Sequence, residues 1–196
     1  MNALKIILGS ALFIGIIVLL LGLFVADSGF YVKRDVTINA PAKTIYPYVS
    51  SLKAMDAWSP WAEMDPNMIN TYEGTDGTVG AVNSWSSEVK DVGVGSQKIT
   101  KLDPNKSVHT HMRITLPHES ESNAIIRLTD TPDGKTKVQW SLRGDYGKIE
   151  RLFMMFVDME EQVGPNFEKG LAKLKTQVEQ ENTIISSKDK MPANAN

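Results

Sequence analysis

The spacing of apolar residues changes several times along this chain, and each change marks an element. Between Lys5 and Asp27 lie 21 residues without a charge, opening at Ile6 and closing at Ala26 (IILGSALFIGIIVLLLGLFVA). A run apolar on every side predicts a helix, and at 1.5 Å per residue it spans roughly 31 Å, close to the ~30 Å hydrocarbon core of a bilayer. Over residues 31–38 the spacing drops to two, with Val32, Val36 and Ile38 on one face of a strand. Asn39-Ala40-Pro41 stops that strand. Asn39 is the expected cap and Pro41 an expected first-turn residue of a helix that buries Ile45, Tyr48 and Val49 and bends near Pro47. A second short helix, 52–57, leads into Trp58-Ser59-Pro60-Trp61.

Strand patterns then follow at 68–74, 80–88, 95–102, 107–116, 122–129 and 137–143. Turn residues separate them: Thr75-Asp76-Gly77, Asp91-Val92-Gly93, Asp103-Pro104-Asn105 and Thr131-Pro132-Asp133-Gly134. Short strands with short turns predict an antiparallel meander. After Gly147 the spacing returns to threes and fours with Ile149, Leu152, Phe153, Phe156 and Met159. Gly164-Pro165 is expected to start another helix, whose stripe is Phe167, Leu171, Leu174 and Val178. The fold class is therefore α+β: a curved antiparallel sheet wrapped around a long C-terminal helix, preceded by one N-terminal transmembrane helix. The expected division is an anchor over 1–29, one domain over 30–181 and a disordered polar tail over 182–196, which carries too little apolar surface to offset ordering entropy.

The anchor competes with a cleaved signal peptide. The run exceeds the ~7–15 residues of a signal core, and cleavage after Ala26 would put Phe24 where a small residue is wanted. Gly9, Gly15 and Gly22 are not four apart, so no GxxxG face exists. The short N-terminus carries Lys5, while Lys33 and Arg34 beyond the run are offset by Asp27 and Asp35. The expected placement is a single-pass protein of a bacterial inner membrane with its C-terminal domain outside the cytoplasm. The chain has 196 residues, a net charge of −2 and no cysteine. No basic run is long enough to track nucleic-acid phosphates, and disulfides, thiolate metal sites and a cysteine nucleophile are excluded.

At this point the sequence resembles the START-like, helix-grip (SRPBCC) superfamily, in its polyketide cyclase/dehydrase-type branch with membrane-anchored bacterial members. The residues that carry the resemblance run in order from Val36-Thr37-Ile38-Asn39-Ala40-Pro41 through Tyr48-Val49-Ser50-Ser51-Leu52, Trp58-Ser59-Pro60-Trp61 and Asp65-Pro66-Asn67-Met68. They continue with Val79-Gly80-Ala81, Trp85, Val94-Gly95-Ser96-Gln97-Lys98-Ile99 and Thr136-Lys137-Val138-Gln139-Trp140, and end at Phe167-Glu168-Lys169-Gly170-Leu171-Ala172-Lys173-Leu174. The resemblance implies a cavity between sheet and C-terminal helix. It says less about chemistry, since relatives include lipid carriers, hormone-binding proteins, cyclases and oxygenase subunits.

Aromatic and methionine residues at inward positions are the candidate ligand contacts: Trp58, Trp61, Tyr72, Trp85, Met112, Trp140, Phe153, Met155, Met159 and Phe167. An ordinary packed core gives the same pattern; the resemblance implies space under the helix. His109 and His111 share a strand face, as metal ligands can, but lack a convincing third ligand and are expected at the surface beside Arg113. His118 is expected in a strand-end loop. Asp158, Glu160 and Glu161 are expected on a solvated face near a helix end. No GxSxG elbow or phosphate loop is present, and Gly93-Val94-Gly95 reads as a turn. The leading expectation is a membrane-anchored domain that binds a hydrophobic small molecule or lipid, non-catalytic, with no cofactor and no metal. The alternatives are a cyclase-, dehydratase- or hydrolase-like enzyme, or a regulatory protein-interaction module.

Overall fold

The computed structural model describes residues 2–24, 28–147, 151, 154 and 156–189. The apolar run forms α1 (Asn2–Phe24), and none of the Ala3–Leu20 stretch is buried. Among the described residues it is the one helix long and apolar enough to cross a membrane. The rest is β1 (Gly29–Ile38), α2 (Ala42–Ser50), α3 (Leu52–Trp58) and α4 (Pro60–Met64), then β2 (Ile69–Glu73), β3 (Val82–Ser86), β4 (Val94–Asp103), β5 (Ser107–Leu116), β6 (Ser120–Asp130) and β7 (Thr136–Asp145), and finally α5 (Met159–Asp189).

The strands form one seven-stranded sheet in the order β1-β7-β6-β5-β4-β3-β2, and every neighbouring pair is antiparallel. This is the expected meander with β1 added beside β7, where Val36 faces Val138. Register shifts at Val94/Gly95 and Ile99/Lys101 in the β4–β5 ladder increase local twist and curl the sheet. Helix α5 packs across its inner face. Leu171, Leu174 and Val178 are buried with Ile38, Ile45, Val49, Ile99, Val108 and Val138 in the larger core cluster. Each such side chain contributes on the order of 1.5–3 kcal/mol. Phe167 belongs to a second cluster with Val32, Ala124 and Leu142. The fold is the α+β helix grip.

Several local expectations are corrected. Pro41, not Asn39, occupies the position before α2, and no side chain caps that helix end. The Asn39 N–H instead donates to Glu179 Oε1 at 2.7 Å, which ties the end of β1 to α5. Helix α2 runs through Pro47 and ends at Ser50, and Tyr48 is only half-buried. Helix α5 does not begin at Gly164-Pro165 but at Met159, because Asp158 Oδ1 accepts the N–H groups of Glu160 at 2.8 Å and Glu161 at 3.3 Å. Pro165 is therefore inside α5, at the loss of the bond its nitrogen would give to the Glu161 carbonyl. The acidic set thus starts a helix, and Glu160 pairs with Arg34 at 2.6 Å. At its other end α5 extends to Asp189, and the Asn182 Nδ2 donates to the Asn39 carbonyl at 3.3 Å. Ile149, Leu152, Phe153 and Met155 lie outside the described residues.

Candidate functional site

Helices α2 and α3 meet without a linker because Ser51 serves both: it follows α2 and its Oγ accepts from the Ala54 N–H at 3.0 Å. Asp76, in the β2–β3 turn, reinforces that start by accepting from Ser51 Oγ at 2.6 Å and the Leu52 N–H at 2.7 Å. Helix α3 is thereby aimed so that Met55 and Trp58 turn toward the sheet. Pro60 opens α4 at its first position, where its missing N–H is harmless, and places Trp61 beside them.

The space between α3, α4, the first half of α5 and the inner sheet face is a cavity of about 700 Å³. Its aromatic end is built on Trp140 of β7. Phe167 stacks on Trp140 with centroids 3.9 Å apart and planes at 4°. Trp58 and Trp61 meet the same ring edge-on at 5.1 and 6.0 Å. Gly170 lets α5 close onto this cluster, since a Cβ there would sit 3.1 Å from the Trp140 ring. Trp85 lines the cavity from β3 and faces Gly95 across the ladder, where a Cβ would collide with its ring. Met112 and Met159 complete the apolar lining from β5 and α5.

Of the residues expected to contact a ligand, Trp58, Trp61, Trp85, Met112, Trp140, Met159 and Phe167 all line this cavity. Tyr72 does not. Its hydroxyl donates to Asp56, and Lys53 Nζ sits 5.2 Å from its ring centroid. Phe153 and Met155 lie outside the described residues. His109 and His111 are on the face opposite buried Val108 and Thr110. His111 Nε2 is 3.7 Å from Glu121, and His109 Nε2 is 3.2 Å from Ser107 Oγ. Burial, followed by the charges of Lys101 and Arg127, holds His109 below the ordinary histidine value. Among the described residues no group of three His, Cys, Asp or Glu could hold a metal ion.

Sequence reasoning missed the polar wall of the cavity. Asn70, Asn83, Gln97 and Thr110 line it from β2, β3, β4 and β5, and Asp56 from α3. Gln97 Nε2 donates to Thr110 Oγ1 at 3.0 Å. The side chains of Asn70 and Asn83 make no hydrogen bond, and both Oδ1 atoms are buried. The available signal was phase: Asn83 is two residues from Trp85 and Asn70 two from Tyr72, so each amide shares a strand face with an aromatic ring. Burial raises the Asp56 carboxyl above its ordinary value; the Tyr72 hydroxyl opposes this and the Asp76 charge adds to it. Burial, then Asp56, pushes the Tyr72 phenol up as well. The Tyr72 hydroxyl thus stays protonated and occupies one acceptor position of the Asp56 carboxyl.

The family model described as polyketide cyclase / dehydrase and lipid transport matches residues 30–179, which take in β1 from its second residue, all of β2 to β7 and most of α5. The chain belongs to this family. No curated protein matches it. Among solved structures it is similar to a norcoclaurine synthase point mutant from Thalictrum flavum held with a transition-state analogue, at 13% identity and a TM-score of 0.60, covering 79% of this chain and 96% of that one. A protein from Nitrosospira multiformis aligns at 16% identity and a TM-score of 0.57, over 79% and 99% of the two chains. Protein MLL2253 from Mesorhizobium loti aligns at 16% identity and a TM-score of 0.56, over 77% and 98%. At these identities the likeness shows the fold, and the family's SRPBCC, Bet v 1-like helix grip is that fold.

Proposed function

We propose that this family member is a single-pass membrane protein whose helix-grip domain binds a hydrophobic small molecule or lipid without changing it chemically. The observation that carries this reading is the cavity of about 700 Å³ under α5 with its Trp140–Phe167 stack. Sites for small ligands are concave, mostly apolar and carry few polar groups. Binding is partition into that space, each Å² of apolar ligand surface contributing roughly 25 cal/mol before the costs of immobilisation. The location proposed with this reading is the bacterial inner membrane, with the domain carried outside the cytoplasm on the apolar helix.

The placement of the cavity supports supply from the bilayer. Phe30 lines it, and in the sheet Phe30 faces Gly144, which faces Ser122. At this same end Leu116 lines the cavity while remaining 56% exposed, which marks a rim. Gly29 follows Phe24, the end of α1, by five residues, a tether of at most about 18 Å. The rim and the apolar helix are thus linked by a short stretch of chain, which keeps the opening near lipid and raises the local ligand concentration.

Native mass spectrometry of the full chain released from detergent, before and after organic extraction, tests the reading. The expected result is a discrete co-purifying mass that extraction removes and that Trp140→Ala retains at least about tenfold less well. A chain that arrives empty and then takes up no apolar probe would overturn it.

A further inference from the structure

The cavity is apolar at one end and carries unspent polar groups at the other. Asn83 is 5% exposed, lines the cavity and makes no side-chain hydrogen bond. Asn70 lines it too, and its amide is equally unpartnered. The β2–β3 register sets Asn70 opposite Trp85 and Tyr72 opposite Asn83. The two amides are therefore diagonal neighbours on one face, near enough for a single small group to reach both. Buried polar groups in folded proteins are nearly always hydrogen-bonded, so two idle amides facing one cavity call for a partner.

The chemistry of that partner follows from what the wall offers. Each amide has both an acceptor oxygen and a donor nitrogen, whichever way it is turned. The smallest group that complements two such amides is a hydroxyl, which donates to one carbonyl oxygen while accepting from the other amide nitrogen. Charged head groups fit poorly. A carboxylate would enter beside Asp56 and Asp91, with only the exposed Lys90 as a lining cation. An ammonium would find Asp91 exposed to solvent and one acceptor position of Asp56 already taken by the Tyr72 hydroxyl. Resting on the binding role proposed above, we infer that the ligand is a neutral amphipath, an apolar body carrying an alcohol or phenol hydroxyl, held with the hydroxyl between Asn70 and Asn83 and the body against Trp140 and Phe167.

Four probes with one ring system test this: 2-naphthol, 2-naphthoate, 2-naphthylmethylammonium and naphthalene. Each is titrated calorimetrically at pH 7 into the full chain in nanodiscs, with empty nanodiscs subtracted. The expected order has 2-naphthol binding about tenfold tighter than each of the other three, the size of one well-made buried hydrogen-bond pair. Asn83→Leu and Asn70→Leu keep the side-chain volume close and are expected to abolish the preference of 2-naphthol over naphthalene while naphthalene itself stays within about threefold. Three results would overturn the inference: a charged probe binding at least as well as 2-naphthol, a preference that survives both substitutions, or equal binding of 2-naphthol and naphthalene, which would mean that water satisfies the amides. In each of these naphthalene still binds and the cavity keeps its binding role. If none of the four binds, the binding role itself fails.

Discussion

The two halves of α5 meet the same sheet in opposite ways. Leu174 and Val178, from the midpoint onward, with Leu171 just before it, fit into a closed core with residues from α2, β1, β4, β5 and β7. Met159, Val163 and Phe167 in the first half face a cavity, and their neighbours are aromatic rings, methionines and amides. The side chains account for the contrast. In the closed core branched residues pack against Ile38, Ile99 and Val138, none of which lines the cavity. Around the first half Trp140, Trp58 and Trp61 prop one another edge-on and hold α4 and α5 off the strands. One helix thus divides the domain into a part that secures the fold and a part that leaves room for a guest.

The largest test of this division is Leu174→Ala. Leu174 is fully buried, and truncation is expected to cost about 2–5 kcal/mol of unfolding free energy, since the closed core collapses only partly around the gap. Once folded, the variant should bind an apolar probe within about threefold of the parent. Trp140→Ala, measured by the same urea titration, should cost less stability than Leu174→Ala because it widens an existing space instead of opening a new one. A Trp140→Ala loss as large as that of Leu174→Ala would mean that the aromatic end is part of the core.

The closed half was the more legible of the two from sequence. The 3.6-residue stripe of α5 and the period-two alternation of β5 and β7 report burial directly, because their apolar residues bury one continuous face. The family resemblance supplied the space beneath the helix, which periodicity could not. The polar wall escaped notice because an asparagine in a strand carries no apolar signal of burial, and only its phase with Tyr72 or Trp85 places it on the inner face. Local caps misled for a different reason. Asn39 is a good cap by type, but its backbone is claimed by Glu179, far away in sequence, and Asp158 wins the start of α5 ahead of Pro165. Such competition is decided by tertiary contacts that no short window contains.

A middle-sized effect is expected where the cavity half is hung on the rest. Asp76 is the turn residue that holds the start of α3, and α3 presents Met55, Asp56 and Trp58 to the cavity. Asp76→Ala should cost about 1 kcal/mol, within the usual range for a lost helix cap. Burial pushes the Asp76 carboxyl up, but hydrogen bonds from Ser51, Leu52, Lys53 and Gly77 outweigh it and leave the group below its ordinary 3.8. A carboxyl depressed on folding stabilises the protein above its unfolded value, and this is lost as pH falls through the folded value. The gap between parent and Asp76→Ala in urea midpoint should therefore be full at pH 7 and shrink once the pH drops below about 3.8. A gap that is unchanged in acid would show that the turn, rather than the charge, holds α3.

The smallest effect should come from Glu63, although its ion pairs look the most emphatic. Glu63 on α4 receives Lys169 at 2.7 Å and Lys173 at 2.6 Å from α5, and these two hydrogen bonds hold its carboxyl down at about 2. By the same linkage its contribution is present above its ordinary 4.5 and is lost as pH falls through about 2. The carboxylate and both ammonium groups are exposed, however, so water and salt screen the attraction and ordering three long side chains offsets much of it. Glu63→Gln is expected to leave the urea midpoint close to the parent's at physiological salt. The small difference that remains should vanish in 1 M salt, where the screening length is about 3 Å. Probe affinity should fall by less than about threefold, because Trp61 on the same helix is held by Trp140 and Phe167 rather than by the ion pairs. A loss comparable with Leu174→Ala would reverse the contrast between the halves: the cavity would then be held open by charge at its surface, and the aromatic cluster would be a passenger of the α4–α5 clasp.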